Sequence, residues 1–375
     1  MRFLMLNWRD PRNPAAGGAE RVTHGYLKAL VDRGHQVYWF THHFQGAPIT
    51  EMLDGIHLIR EGTTANSWLK AARWCASQVR FDLVIDQHHG IPWYAPWWCR
   101  THNISYIHEV LGPIWNAFYK WPWNLIGRTQ ERWTHWFYRQ VPFWTACEST
   151  RNDLIKNGVR RVSIIRYGVS TMALPQLPPK SLSLPLRLIV VSRLAPNKRI
   201  GEAIKLVQEL LQRKIPATLQ IIGSGEEERA LRILVQDYQL QKSVTFTGPL
   251  PEQDKDLALR EAHFLVHTSQ REGWGLNVIE ANAMGTPAIV YPVPGLIEST
   301  LHQKTGVVAA NETAKALADA IEQLLPVPQH YQYLREQAWM RARQFHWNRI
   351  LPIASEWLEA RARGDSIQGS EVLPL

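Results

Sequence analysis

The chain holds 375 residues, 45% of them hydrophobic, with 42 Lys and Arg against 33 Asp and Glu for a formal charge of +9. Two domains fit that length better than one, and no apolar run approaches the roughly 20 residues that cross a bilayer as a helix. The opening MRFLMLNWRD turns polar too early for a secretory signal, so a soluble cytoplasmic protein is expected, able to meet the inner face of a membrane only peripherally.

In chain order, short apolar runs alternate with longer amphipathic stretches. Strands are predicted at 2–7, 36–41, 57–60, 82–86, 103–108, 143–146 and 162–166, and helices at 19–33, 66–80, 113–140 and 149–157. Strands separated by helices form parallel β-α-β units, hence a doubly wound α/β sheet. The proline-rich stretch 172–186 suits neither a helix nor an inner strand and reads as a linker. The pattern then restarts, with strands at 188–192, 218–222, 244–247, 264–268, 288–291 and 306–308 and helices at 200–213, 226–238, 252–261, 277–284 and 313–324. The expected organisation is a Rossmann-like domain at 1–170, a linker at 171–186, a second Rossmann-like domain at 187–328, and helices with a tail at 329–375.

Charge and tryptophan are both skewed towards the first half. Residues 1–170 hold 20 Lys and Arg against 12 Asp and Glu, together with 13 of the 17 tryptophans. That half should meet something anionic and partly apolar. Cys75, Cys99 and Cys147 fit no zinc or C-x-x-C spacing and are expected to be buried reduced thiols.

Two carboxylates, Glu272 and Glu280, flank a Gly-Trp-Gly turn and a short apolar run. The strand at 264–268 ends just before them, which puts Glu272 in the following loop and Glu280 on the helix that the loop feeds. Both therefore lie at the carboxyl edge of the second sheet, where open α/β sheets bind ligands. A glycosidase pair must flank the scissile bond from opposite sides, roughly 5 to 9.5 Å apart. Two carboxylates on one side of a cleft do this poorly. They suit two distant parts of one extended ligand, such as the sugar and ribose ends of a sugar nucleotide. Gly275 lets the backbone approach closely, and the helix start at Leu276 and Asn277 offers N–H groups and a positive dipole end to a diphosphate.

Residues 272–289 resemble the E-x7-E signature of the family 4 retaining glycosyltransferases, including the A-x-G-x-P that follows it. Gly17-Gly18-Ala19-Glu20 is similar to the family's glycine-rich first loop, and Ser192-Arg193-Leu194 with Asn197-Lys198 to its R-L-x-x-x-K phosphate clamp. Ile222-Gly223-Ser224-Gly225 matches its G-x-G turn and Gly295-Leu296-Ile297-Glu298 its G-x-x-E. The resemblance implies a GT-B-like fold, two facing Rossmann-like doubly wound domains with an interdomain active-site cleft and the donor on the second; the charge and tryptophan skew put the acceptor on the first. It further implies metal-independent transfer of a sugar, hexosyltransferase in type, from a nucleotide-sugar donor to an acceptor hydroxyl, with retention and with no cofactor.

Roles follow for the matching positions. Arg193 and Lys198 would neutralise the donor diphosphate, Glu280 would accept from the ribose hydroxyls, and Glu272 would hold sugar hydroxyls near the reacting carbon. Gly18, Gly223, Gly275, Leu276 and Asn277 would line the donor, with Gly18 presenting its amide to the diphosphate. His108, at the predicted end of the fifth strand, resembles the family's histidine near the donor sugar. A structural histidine bonded at a strand end is the alternative, and His88 and His89 are rivals for the position. Asp254-Lys255-Asp256 spells D-x-D, but it opens an amphipathic helix and reads as a solvated first turn; no metal is expected. Gly223-Ser224-Gly225 lacks the third glycine of a dinucleotide fingerprint.

Between residues 93 and 144 tryptophans interleave with Lys120, Arg128, Arg132 and Arg139. Such a surface suits an anionic membrane face or a lipid-linked glycan acceptor, and core packing of a long helical insertion is the alternative. Two other classes compete with the enzyme reading. A non-catalytic glycosyltransferase-like subunit should have lost clamp residues, all of which are present here. A nucleic-acid-binding module leaves the clamp unexplained, and no nucleic acid is expected.

Overall fold

Apolar runs of three to six residues become strands because flanking helices cover both faces of a parallel sheet, so that consecutive side chains can all be buried. β1 (Arg2–Leu6) shows this: every residue from Phe3 onward is inaccessible to solvent. The computed structural model describes residues 1–88, 91–365 and 371–373. The chain divides into two units, Met1–Gly168 with Trp347–Leu375, and Val169–His346.

The first unit continues with α1 (Gly18–Asp32), β2 (Gln36–Thr41), β3 (Thr50–Leu53), β4 (Ile56–Arg60), α2 (Ser67–Ala76), β5 (Leu83–Gln87), α3 (Ala95–Trp98) and β6 (His102–Tyr106). After these come α4 (Trp115–Phe118), α5 (Trp123–Phe137), β7 (Phe143–Thr145), α6 (Glu148–Lys156) and β8 (Val162–Ile164). The second unit holds β9 (Leu186–Val191), α7 (Ile200–Gln212), β10 (Ala217–Ile222), α8 (Glu228–Asp237), β11 (Val244–Gly248), α9 (Glu252–Glu261) and β12 (Phe264–His267). It is completed by α10 (Leu276–Ala283), β13 (Ala288–Val290), α11 (Leu296–Ser299), β14 (Gly306–Val308), α12 (Ala314–Leu324) and α13 (Pro328–Ala342). The chain then returns to the first unit through α14 (Trp347–Arg363) and β15 (Glu371–Val372).

The first sheet runs β15-β8-β7-β6-β5-β1-β2-β4-β3 and is parallel except for the β3–β4 pair. That hairpin was not predicted. Its turn, Asp54-Gly55, has positive φ at both residues (49° and 83°), the combination that two-residue hairpins favour, but β3 itself is half exposed and weakly patterned. The second sheet is wholly parallel, β11-β10-β9-β12-β13-β14, so strand order reverses between β9 and β12. Loops that leave those two strands in opposite directions open a crevice at their carboxyl ends.

The helix predicted over 113–140 is two helices, broken at Tyr119–Pro122, where the proline ring removes a backbone donor. The buried Glu131 carboxylate accepts from the amides of Leu111 and Gly112, at 2.7 and 2.8 Å, and so ties the start of α4 to α5. The Trp115 ring fills the gap beside Gly127, where a Cβ would lie 2.3 Å from it. The aromatic residues divide accordingly. Trp39, Trp93 and Trp144 are core, while Trp121 is 79% exposed and Trp97, Trp123, Trp133, Trp136 and Phe137 are exposed as well.

The segment 329–375, expected as C-terminal helices with a tail, is divided between the units. α13 packs on α10, whereas α14 packs on α1, with the Trp347 ring edge-on to Tyr26 at 5.4 Å and Glu359 held by Arg33 and His35 at 2.6 and 2.8 Å. Cys147 is buried, but Cys75 and Cys99 are only half-buried, and their sulfurs lie 4.0 Å apart. No described helix is long and apolar enough to cross a membrane.

Candidate active site

In the second unit the switch between β9 and β12 explains why residues 74 positions apart meet. Lys198 closes the short 3-10 turn Pro196–Lys198 after β9, and Glu272 lies in the loop after β12. Their side chains form an ion pair of 2.6 Å, each about one-fifth exposed. His267, at the end of β12 and almost fully buried, lies with Nε2 3.4 Å from the same Glu272 oxygen, and the Ser269 hydroxyl donates to it at 3.3 Å. Burial alone would push the Glu272 carboxyl up, but Lys198 and His267 outweigh it and hold the group well below the ordinary carboxylate range.

Arg193, in the same loop, is exposed and has no side-chain partner among the described residues. Its neighbour Arg199 is engaged: its guanidinium donates to the carbonyls of Thr268 and Ser269, pairs with Glu312 at 2.6 Å and lies over the Tyr291 ring. Gly223 sits against the loop carrying Arg193. A Cβ there would come 1.9 Å from the Ser192 carbonyl oxygen, so only glycine allows the β10 loop this close. Ser224 completes the contact by accepting from the Leu194 amide at 2.9 Å.

Gly275 is the N-cap of α10 and takes φ +82°, a left-handed conformation that other residues adopt at a cost. The N-cap glycine has no side chain to cap this helix start, so the first-turn amides of Leu276 and Asn277 lack an intrahelical partner. The Asn277 side chain is committed elsewhere, donating to the Val191 carbonyl at 2.9 Å and tying α10 to the end of β9. Glu280, one turn further on, has its own cation, the buried Lys255 of α9, at 3.2 Å. The two carboxylates of the signature therefore belong to different lysines.

That lysine lies inside the D-x-D that the sequence reading set aside. Asp254 is exposed in the first turn of α9, while Asp256 accepts from the Thr171 hydroxyl at 2.9 Å. Among the described residues no group of three or more His, Cys, Asp or Glu could hold a metal ion.

In the first unit Gly18 opens α1, and the Glu20 carboxylate already accepts from the Gly17 amide at 2.7 Å. A carboxylate thus sits at the positive end of the helix. His108 follows β6 with both ring nitrogens engaged: Nε2 with the Gln87 amide nitrogen at 2.7 Å, and Nδ1 with the Tyr167 hydroxyl. Gln87 is fixed in turn by the Thr23 hydroxyl at 3.0 Å. His88 is buried, near Asp86 at 3.5 Å and the Ser105 hydroxyl at 3.3 Å, and its Nε2 has no partner among the described residues. His89 lies outside the described residues.

Sequence reasoning missed Lys255, His267 and the Gln87–Tyr167 pair around His108. A buried histidine at a strand end carries no motif, the D-x-D around Lys255 says nothing of Glu280, and the partners are 5 to 59 residues away in sequence.

The family description "Glycosyltransferase Family 4" matches residues 16–172, and "Glycosyl transferases group 1" matches residues 181–340. Glycogen synthase of Mycobacterium tuberculosis is 24% identical over 400 aligned residues, covering 97% of this chain and 96% of the relative. D-inositol 3-phosphate glycosyltransferase of Pseudarthrobacter chlorophenolicus is 33% identical over 157 residues, 41% of this chain and 37% of that one. Among solved structures, sucrose-phosphate synthase of Thermosynechococcus elongatus superposes with a TM-score of 0.78 at 19% identity, over 97% of this chain and all of that one. HepE of Anabaena, solved with UDP-glucose, does so with 0.73 at 18% identity, over 96% and 100%. These likenesses identify the fold as GT-B, in keeping with two parallel-sheet Rossmann-like units.

Proposed function

The chain belongs to the family 4 glycosyltransferases, and from that premise we propose that it moves a sugar from a nucleotide-sugar donor to an acceptor hydroxyl with retention and without a metal. The observation that carries this reading is the Lys198–Glu272 pair at the strand-order switch, beside the uncapped start of α10 and the unpartnered Arg193. Lys198 and Arg193 meet the charge that develops on the donor diphosphate as the sugar bond breaks. An ammonium has three donors, so Lys198 can keep Glu272 while it binds phosphate. The Leu276 and Asn277 amides add the helix dipole. Glu272 holds the sugar hydroxyls, and Glu280 accepts from the ribose.

In this reading a leaving-group phosphate oxygen deprotonates the acceptor on the same face, and no enzyme nucleophile is needed. His108 would meet the donor sugar by exchanging one of its bonds to Gln87 or Tyr167. The test is a panel of nucleotide sugars scored by thermal shift and by hydrolysis, with and without a chelator. Stabilisation by at least one donor, unchanged by the chelator, is the expected result. No shift and no hydrolysis with any donor would overturn the reading.

The acceptor side is proposed to be lipid-linked or membrane-presented, at the inner face of the membrane. Along α5, residues 127, 131, 134 and 135 face inward, and the opposite face exposes Leu125, Ile126, Trp133, Trp136 and Phe137. Trp121 and Trp123 extend it, Lys120, Arg128 and Arg132 are exposed among them, and Arg139 lies over the Trp136 ring at 4.3 Å. Anionic lipid attracts each such basic residue by roughly 1 kcal/mol, an effect that salt weakens while the apolar part persists. The protein should therefore co-sediment with anionic vesicles, be partly released at high salt, and bind less as the Trp121→Ala, Trp123→Ala double variant. Wild-type and variant binding of equal strength would exclude this surface.

A further inference from the structure

We propose that Lys255 is a positioning residue for the donor ribose, holding the Glu280 carboxylate in one orientation. The proposal rests on the reading of Glu280 as the ribose acceptor. Lys255 stands in the first turn of α9, yet its side chain is only 7% exposed. Its ammonium lies 2.5 Å from Glu252, 3.2 Å from Glu280 and 3.9 Å from Asp256. Burying a lysine in this way is costly unless it is paired. Burial pulls its pKa down, but Glu280, Glu252 and Asp256 outweigh that and leave it above the ordinary lysine value.

The balance of charge makes the lysine matter to Glu280 in particular. Lys255 faces three carboxylates, two of them on the same helical turn of α9 and one on α10. Glu252 is exposed and can turn to water, and Asp256 has the Thr171 hydroxyl. Glu280 is 15% exposed, and its Oε1 faces the ammonium. Without Lys255, Glu280 would lose the ammonium at 3.2 Å while Glu252 and Asp256 stay near, and its carboxylate would shift outward. That shift spoils a carboxylate whose work is to accept from two vicinal hydroxyls in a fixed plane.

The experiment is calorimetry of the full chain with the 5′-diphosphates of uridine, guanosine and adenosine and their 2′,3′-dideoxy counterparts. Wild type should prefer the ribose form of the nucleotide it binds, and Glu280→Gln should lose that preference. Lys255→Met should reduce the preference about tenfold, within the range of coupling between side chains in contact, while Lys255→Arg keeps most of it. Lys255→Gln, similar in size and uncharged, gives the same reading should Lys255→Met fail to fold. A folded Lys255→Met or Lys255→Gln protein that keeps the full wild-type preference, or weakens ribose and dideoxy forms alike, overturns the role of Lys255 and leaves Glu280 as the ribose acceptor. If wild type shows no preference, or Glu280→Gln retains it, the ribose reading and this proposal fall together.

Discussion

Lys198→Ala is expected to lower kcat/KM by about 10² to 10³, on the order of 2 to 4 kcal/mol, the cost of removing one preorganised charge-stabilising group. The fold should survive, because Lys198 lies in a loop and is one-fifth exposed. The structure adds a second consequence through Glu272. That carboxyl is held below its ordinary value of 4.5 by Lys198 and His267, so its stabilising contribution is complete above that value and is lost as pH falls through the depressed folded-state pKa. Without Lys198 the depression shrinks, since burial still pushes the group up. The difference in Tm between wild type and variant should accordingly be full near neutral pH and narrow under acid conditions. Turnover within a few-fold of wild type in a folded Lys198→Ala protein would remove the residue from the mechanism.

Glu280→Gln and Glu272→Gln are expected to separate. The first should weaken binding of the bare nucleoside diphosphate by about 1.5 to 3 kcal/mol, the range for losing a hydrogen bond to a charged group. The second should leave that binding near wild type and impair turnover of the complete donor. The separate lysines make the division physical: neutralising Glu280 disturbs Lys255, whereas neutralising Glu272 disturbs Lys198 and His267. Because Glu272→Gln relieves Lys198 of its counter-charge, diphosphate binding in that variant should hold or strengthen slightly. Equal weakening by both changes, measured by calorimetry, would contradict the assignment.

Much of the fold was legible because parallel strands and amphipathic helices write their periods into the chain. All six strands of the second sheet lie within a residue or two of their predicted positions, as do the helices at 200–212 and 252–261. The misses have local causes. β3 is a half-exposed edge strand with weak alternation, and α3 is a single four-residue turn too short to show a period. The break at Tyr119–Pro122 was marked by its proline but lay within a continuous aromatic pattern. Tryptophan content could not separate core from surface, since Trp144 is fully buried and Trp121 is 79% exposed.

By itself the sequence determined the alternation of strand and helix, the restart after the proline-rich segment, and the placing of Lys198 and Glu272 in loops after strands. These are properties of short windows, set by side-chain period, proline and glycine. Tertiary structure alone decided that β9 and β12 are neighbours across the strand-order switch, which brings Lys198 onto Glu272. It also decided that Lys255 turns inward to Glu280 and that His108 is occupied on both ring nitrogens. The physical reason is the same in each case. A residue's own window fixes which face of its element it occupies, but the partner on that face belongs to another element, and only packing chooses which element that is.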